Sequence, residues 1–226
     1  MKKYYGFFDN GKYKVGGNGG SLYVYDQNEE ELIRFKGLSS TYRGAFRPGT
    51  NVFVAKSICD YLMVYDLDKH SLIKKIHFSR VGGSQDDGFA FSPSGDIFYN
   101  VERPDVSTRT QLTLYDGTTF DKITSYLVND EKVFLRHVEP YEDEIYLFGF
   151  MRDANGIYEY PFVSKFEDGE IKDLKRISDN EYEFLWIYKN WEMSGFSEKT
   201  ATQFDGIMLK EQPLKGRLKQ TWAQTK

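Results

Sequence analysis

Apolar and polar residues alternate along this chain in short runs that end on an aromatic residue followed by aspartate. The clearest copies are Leu22-Tyr23-Val24-Tyr25-Asp26, Leu62-Met63-Val64-Tyr65-Asp66 and Leu112-Thr113-Leu114-Tyr115-Asp116-Gly117. A looser copy runs from Phe162 through Phe166 to Asp168-Gly169, and Thr202-Gln203-Phe204-Asp205-Gly206 repeats the register of Thr113 to Gly117. A period of two marks a strand with one buried face, and the Asp or Gly that follows marks a turn. A further apolar run follows, as in Leu32-Ile33-Arg34-Phe35, Leu72 to Ile76 and Ile123 to Leu127.

A second phrase precedes each of these. Ala45-Phe46-Arg47-Pro48-Gly49-Thr50-Asn51-Val52-Phe53 matches Ala90-Phe91-Ser92-Pro93-Ser94-Gly95-Asp96-Ile97-Phe98. His137-Val138-Glu139-Pro140, followed by Glu144 to Leu147, is a third copy. Phe7 to Tyr13 opens the chain in the same way without the proline, and Trp186 to Trp191 is the weakest copy. Each reads as strand, tight turn, strand, with Pro presetting the turn and Gly, Asn or Asp tolerating its positive φ. Phe46, Phe91 and Val138 then occupy equivalent inner positions and are expected to be buried. Truncation of Phe91 is expected to cost about 3–5 kcal/mol.

The two phrases alternate five times, at about the 40–50-residue spacing of propeller blades. With the trailing run, each unit holds four strands, and a lone four-stranded meander must stack on neighbours to bury both faces. The blocks "AFSPSGDIFY" and "QLTLYDGTT" resemble a blade of WD-repeat and related β-propellers, although Tyr or Phe stands where the Trp of a Trp-Asp pair would be. The expected fold is therefore all-β: one propeller domain over 1–226, with about five four-stranded blades. Its units are 3–38, 41–79, 86–129, 133–178 and 181–215, with a tail at 216–226. The first strand, near Tyr4 to Phe8, is expected to lie by the last unit so that the ring closes.

Composition narrows the partners. Of 226 residues, 40% are hydrophobic and 17% aromatic, the latter suited to pleated, half-buried surfaces. A net charge of −4 recruits neither nucleic acid nor an anionic membrane, so neither is expected as a partner. The basic tail, with Lys210, Lys215, Arg217 and Lys219, reads as a solvated end. One cysteine, Cys59, and no apolar run of signal length in Met1–Asn10 point to a cytoplasmic, reducing setting.

Candidate chemistry is sparse. Gly16-Gly17-Asn18-Gly19-Gly20 is followed by a strand rather than a helix, so it reads as an inter-strand loop and not a phosphate cradle. His70 sits in an expected turn, and His77 has no companion at metal-ligand spacing. His137 falls on an inner strand, where a core histidine is expected. Cys59 lies in a loop without a histidine in its sequence context. The run Tyr182 to Tyr188 alternates as core strands do. No metal site or cofactor is expected, and no catalytic set is singled out, since no nucleotide, zinc or nucleophile-elbow fingerprint occurs.

Propeller geometry then directs attention to loops. Those entering each inner strand and those joining second to third strands share one face, at the mouth of the channel. The first set carries Tyr42, Arg43, Asp86, Asp87, Glu181 and Glu183; the second carries Lys56, Asn100, Glu102, Arg103, Arg152 and Asp153. Long loops on a rigid frame are where function concentrates. The expected role is non-catalytic binding of a protein or small polar ligand at the mouth, through Arg43, Asp86, Asp87, Glu102, Arg103 and Arg152. The alternative is a carbohydrate-active propeller enzyme, for which Asp86, Asp87, Glu181 and Glu183 would supply the paired carboxylates. A third reading is a structural subunit that assembles through exposed sheet edges or its tail.

Overall fold

A computed structural model describes residues 6–18, 20–37, 43–56, 61–77, 88–103 and 109–179. They form four antiparallel four-stranded sheets, each a meander in chain order. The first holds β1 (Gly6–Asp9), β2 (Lys14–Asn18), β3 (Ser21–Tyr25) and β4 (Glu31–Lys36). The second holds β5 (Arg43–Phe46), β6 (Val52–Lys56), β7 (Tyr61–Asp66) and β8 (Ser71–His77). The third holds β9 (Phe89–Phe91), β10 (Ile97–Glu102), β11 (Gln111–Asp116) and β12 (Lys122–Leu127). The fourth holds β13 (Val133–Tyr141), β14 (Glu144–Arg152), β15 (Tyr158–Glu167) and β16 (Glu170–Arg176). The first two sheets belong to one compact unit and the last two to another. The expected fifth unit at 181–215, with Phe204, and the tail at 216–226 lie outside the described residues. So do Cys59 and the aromatic run 182–188.

The repeated aromatic-Asp phrase has a local cause. In each of the first three sheets the aspartate side chain accepts amide hydrogens from the turn it opens. Asp26 Oδ1 takes the Glu30 amide at 2.9 Å, Asp66 Oδ1 the Lys69 amide at 3.0 Å, and Asp116 Oδ1 those of Thr118 and Thr119 at 2.8 and 2.7 Å. Such a carboxylate holds the chain in a turn that the strand ladder alone would not select. The aromatic residue just before it sits at a β-bulge in all three sheets: Tyr25, Tyr65 and Tyr115 each follow a register shift against the outer strand. The fourth sheet closes differently, on Asp168-Gly169 with φ of 54° and 82°. Two successive positive φ values are what a two-residue hairpin of matching twist demands, and Asp-Gly supplies them.

Two expectations about the first hairpins need correction. Pro48 and Pro93 do sit in turns, with the Thr50 amide bonded to Arg47 O at 3.1 Å and that of Gly95 to Ser92 O at 2.9 Å. Pro140 instead lies within β13, paired with Ile145, because the turn there is the shorter Glu142-Asp143. Gly16, Gly17 and Asn18 are not loop but the end of β2, paired with Tyr23, Leu22 and Ser21. Glycines are poor strand formers, yet here a regular ladder on both sides holds Gly16 and Gly17.

Each unit has its own core. In the first, Val15, Leu22 and Val24 of the first sheet meet Phe53, Ala55, Met63 and Tyr65 of the second. In the second, Tyr99, Val101 and Leu112 of the third sheet meet Leu135, Val138, Leu147 and Phe162 of the fourth. Close approach excludes a side chain at Gly149, whose Cβ would stand 2.0 Å from the Phe134 carbonyl oxygen. Val138 is buried as expected, but Phe46 and Phe91 are only half-buried. They lie on the short inner strands, and the fully enclosed rings are their ladder partners, Phe53 and Phe98.

At the tight-turn end of the first unit, three turns are clasped by Asp68. Its Oδ1 accepts from Lys12 Nζ at 2.5 Å and Tyr13 hydroxyl at 2.9 Å, and its Oδ2 from Asn51 Nδ2 at 2.9 Å. Asn10 Nδ2 then donates to Asn51 Oδ1 at 3.0 Å. The Lys12 ammonium, followed by Asn51 and Tyr13, holds the Asp68 carboxyl down at about 2, against an ordinary 3.8. A depressed carboxyl stabilises the fold above its unfolded pKa and loses that contribution as pH falls towards the folded value. Asp68→Asn is therefore expected to lower the denaturation midpoint at pH 7. The difference from the parent should shrink between pH 4 and pH 2. Urea melts at a series of pH values measure this, and a pH-independent difference would show that the clasp is not electrostatic.

Candidate functional site

In the second unit, the β9–β10, β11–β12 and β13–β14 turns lie at one end of the strands, and the connections that follow β10, β12 and β14 leave from the other, those after β12 and β14 running over 128–132 and 153–157. Here two of the sequence-predicted site residues come together. Arg103, just beyond β10, lies with its guanidinium 4.4 Å from the centroid of the Phe134 ring. Arg152, at the end of β14, lies 4.5 Å from the same ring. Phe134, the second residue of β13, is 5% exposed and stacks on Phe150 at 4.8 Å and 21°. Phe150 in turn contacts Tyr158 at 5.7 Å.

The result is a continuous row of aromatic rings and arginines across the ends of four strands, β10, β13, β14 and β15. Guanidinium planes on a ring face gain cation–π attraction, and here Arg152 is buried and Arg103 half-buried. Arg152 Nη2 donates to the Glu131 carbonyl at 2.8 Å, which anchors it to the β12–β13 loop. Burial lowers its pKa from 12.5, and nearby Glu131 opposes that shift. The β14–β15 loop is braced by Asp153, whose Oδ1 accepts the Asn155 and Ile157 amides at 2.9 and 2.8 Å. Those amide bonds, Ile157 first, hold the Asp153 carboxyl below its ordinary value. The braced loop presents Ile157, 63% exposed, and Tyr158, 47% exposed. Tyr158 hydroxyl donates to Asp179.

Glu102 adjoins Arg103 in sequence but faces elsewhere. Its side chain lies on the face of the third sheet opposite the one packed on the fourth, and it is buried. Oε1 accepts from Asn100 Nδ2 at 2.8 Å and Tyr115 hydroxyl at 2.7 Å. Oε2 accepts from Thr113 Oγ1 at 2.7 Å and Gln111 Nε2 at 2.9 Å. Because Thr113 spends its proton on Glu102, Ser125 must be the donor in their 3.0 Å contact. Burial raises the pKa of the Tyr115 hydroxyl, and the Glu102 charge adds to the rise. The corresponding face of the second sheet is apolar: Ala55 and Met63 stand in the ladder where Asn100 and Thr113 stand here.

The remaining predicted positions divide in two. Asp86, Asp87, Tyr42, Glu181 and Glu183 lie outside the described residues, as does the carboxylate pairing an enzyme would draw on. Arg43 is in β5 opposite Lys56, and Lys56 and Asn100 are both buried. His137 is a buried residue of β13, and His70 occupies the β7–β8 turn with φ 51°. Among the described residues, no group of three or more His, Cys, Asp or Glu is placed to hold a metal. None of their helices is long and apolar enough to cross a membrane. Phe134, Phe150 and Tyr158 escaped the sequence reading. Folding β13 against β14 about Glu142-Asp143 pairs Phe134 with Met151, whereas a bulge near Arg136 brings it opposite Phe150.

No protein-family model matches the chain, and no curated protein does. Solved structures do. Kuenenia stuttgartiensis hydrazine synthase matches with a TM-score of 0.59 at 14% identity, over 75% of this chain and 52% of that one. The WD40 domain of Neurospora crassa Pan2 matches with a TM-score of 0.55 at 12% identity, over 77% and 52%. The chain thus spans about half the length of the structures it matches. At these identities the likeness shows the fold alone, a propeller-like all-β architecture.

Proposed function

We propose that this chain is a non-catalytic, propeller-like binding module whose docking surface is the loop end of the second unit. The occupant is an acidic segment of a partner protein. The observation that carries this reading is the stack of Arg103 and Arg152 on Phe134, continued by Phe150 and the exposed Tyr158. Arginine and large aromatics are the side chains that dominate binding energy at protein interfaces. A guanidinium also pairs with a carboxylate through two parallel N–H bonds, which favours Asp and Glu in the partner. Exposed Ile157 and Tyr158 add apolar area beside that charge. The architecture completing this module is a fifth four-stranded blade from 181–215, with the ring closed near Tyr4 to Phe8.

A fluorescein-labelled peptide of alternating glutamate and phenylalanine tests the surface by fluorescence anisotropy. The parent chain is expected to bind it, more weakly as salt rises. Arg103→Ala combined with Arg152→Ala should weaken binding at least about tenfold, by loss of two charge-assisted contacts. Arg152→Lys should lose part of that affinity, because a lysine keeps the charge but not the planar fork. Unchanged affinity in a folded double variant would overturn the assignment.

A further inference from the structure

A second surface of the same unit has different chemistry. Between the third and fourth sheets, at their outer strands, lies a cleft of about 320 Å³. Leu112, Leu135, Leu147, Phe166, Ile171 and Leu174 form its walls. Leu112, Leu135 and Leu147 are core residues exposed by 1% or less, so the cleft reaches into the hydrophobic centre of the unit. Its floor is preformed: Phe166 packs edge-on against Tyr126 at 5.0 Å, and Gly169 lets Tyr126 close in, since a Cβ there would stand 2.6 Å from that ring.

The rim is acidic. Asp130 and Glu170 are the ionisable carboxylates lining the cleft, and none of its lining residues is Lys, Arg or His. Both are exposed, and neither is in a salt bridge among the described residues. The Asp130 carboxylate accepts the Lys132 amide at 2.9 Å. The borders are strand edges. β12 contributes Tyr126 and Leu127 and β16 contributes Glu170, Ile171 and Leu174, and each of these strands is the last in its sheet among the described residues. A last strand carries a row of backbone donors and acceptors that an incoming extended chain satisfies. Leu127, 38% exposed, and Ile123, 53% exposed, add apolar surface along the β12 border.

From these features we infer that the cleft receives an extended segment of a partner protein, bearing a bulky apolar residue flanked by lysine or arginine. The apolar side chain fills the cavity, the basic neighbours meet Asp130 and Glu170, and the segment's backbone runs along an outer strand. The cavity is of the size that binds one or two large side chains. This site adjoins the arginine surface at the β12–β13 loop, where Arg152 holds the Glu131 carbonyl beside Asp130, and takes a partner of opposite charge.

The test uses the whole chain and two short labelled peptides, each with a central Leu-Phe pair, one flanked by lysines and the other by serines, which offer the arginine surface no carboxylate. The lysine peptide is expected to bind and the serine peptide to bind at least about tenfold less tightly. Asp130→Lys with Glu170→Lys changes two exposed positions and should abolish that preference in a chain whose circular-dichroism spectrum matches the parent's. Arg103→Ala, which leaves the Arg152 anchor on Glu131 in place, should leave lysine-peptide binding unchanged, which separates this site from the other. Equal affinity for both peptides, no binding of either, or a charge-reversed variant that behaves as the parent would each overturn the proposal. A lysine peptide N-methylated at alternate backbone positions should bind weakly. Full affinity of that peptide, or competition by benzylamine at equal occupancy, would show a small-amine site instead and likewise overturn it.

Discussion

Phe98→Ala is expected to cost about 3–5 kcal/mol, through lost burial and the cavity left behind. Phe98 is fully buried, and its ring lies 4.9 Å from Phe91, 5.4 Å from Phe89, 5.8 Å from Phe120 and 6.1 Å from Tyr115. It is the centre of an aromatic cluster, so its neighbours cannot collapse into the void without leaving their own contacts. Phe91→Ala should cost clearly less, about 1–2 kcal/mol, because Phe91 is only half-buried to begin with. Denaturant midpoints of the two variants measure the contrast. If Phe91→Ala proved the costlier, the inner strand β9 would have to be more enclosed than its ladder partner.

Glu102→Leu should be of similar size, about 3–5 kcal/mol, for the opposite reason. Leucine suits a buried position in volume, but it strands the donors of Asn100, Gln111, Thr113 and Tyr115, which all point at the missing carboxylate. Glu102→Gln keeps the shape and one acceptor oxygen while turning the other group into a donor aimed at donors, so about half that loss is expected. Tyr115→Phe alone should cost about 1–1.5 kcal/mol. The double variant Glu102→Leu with Tyr115→Phe should then be less destabilised than the sum, since the tyrosine donor is no longer stranded. Strict additivity, or a Glu102→Leu midpoint within error of the parent, would show that the network carries no net stabilisation.

Much of the fold was legible because its signals are local. The apolar run Leu62 to Tyr65 makes β7 a strand, buried on both faces rather than on the one that alternation implies, and the aspartate after Tyr65 sets where the turn begins, both within a few residues of chain. The same holds for the Pro48-Gly49 turn, where one residue presets φ and the next tolerates a positive one. Where a signal was misread, a ladder had overruled it: Gly16 and Gly17 resemble a loop alone and are strand only because β1 and β3 pair with them on either side.

The candidate sites were legible only in part, because they depend on register across strands distant in sequence. Arg103 and Arg152 were singled out for lying at loop starts, and their chain positions carry no hint that one phenylalanine receives both. That meeting rests on a bulge near Arg136, a one-residue event that inverts the facing of everything beyond it. Glu102 looked like a rim charge because a glutamate at the end of a strand usually is one. Only pairing with β11 reveals Gln111, Thr113 and Tyr115 as its partners, and only that set of donors makes burial of a carboxylate affordable. By itself, then, the sequence determined the strands, their turns and the four-strand unit, since period and turn chemistry act between near neighbours. The tertiary structure decided which polar groups meet, because hydrogen bonds and ring contacts are made across the sheet and between sheets, where chain separation carries no information.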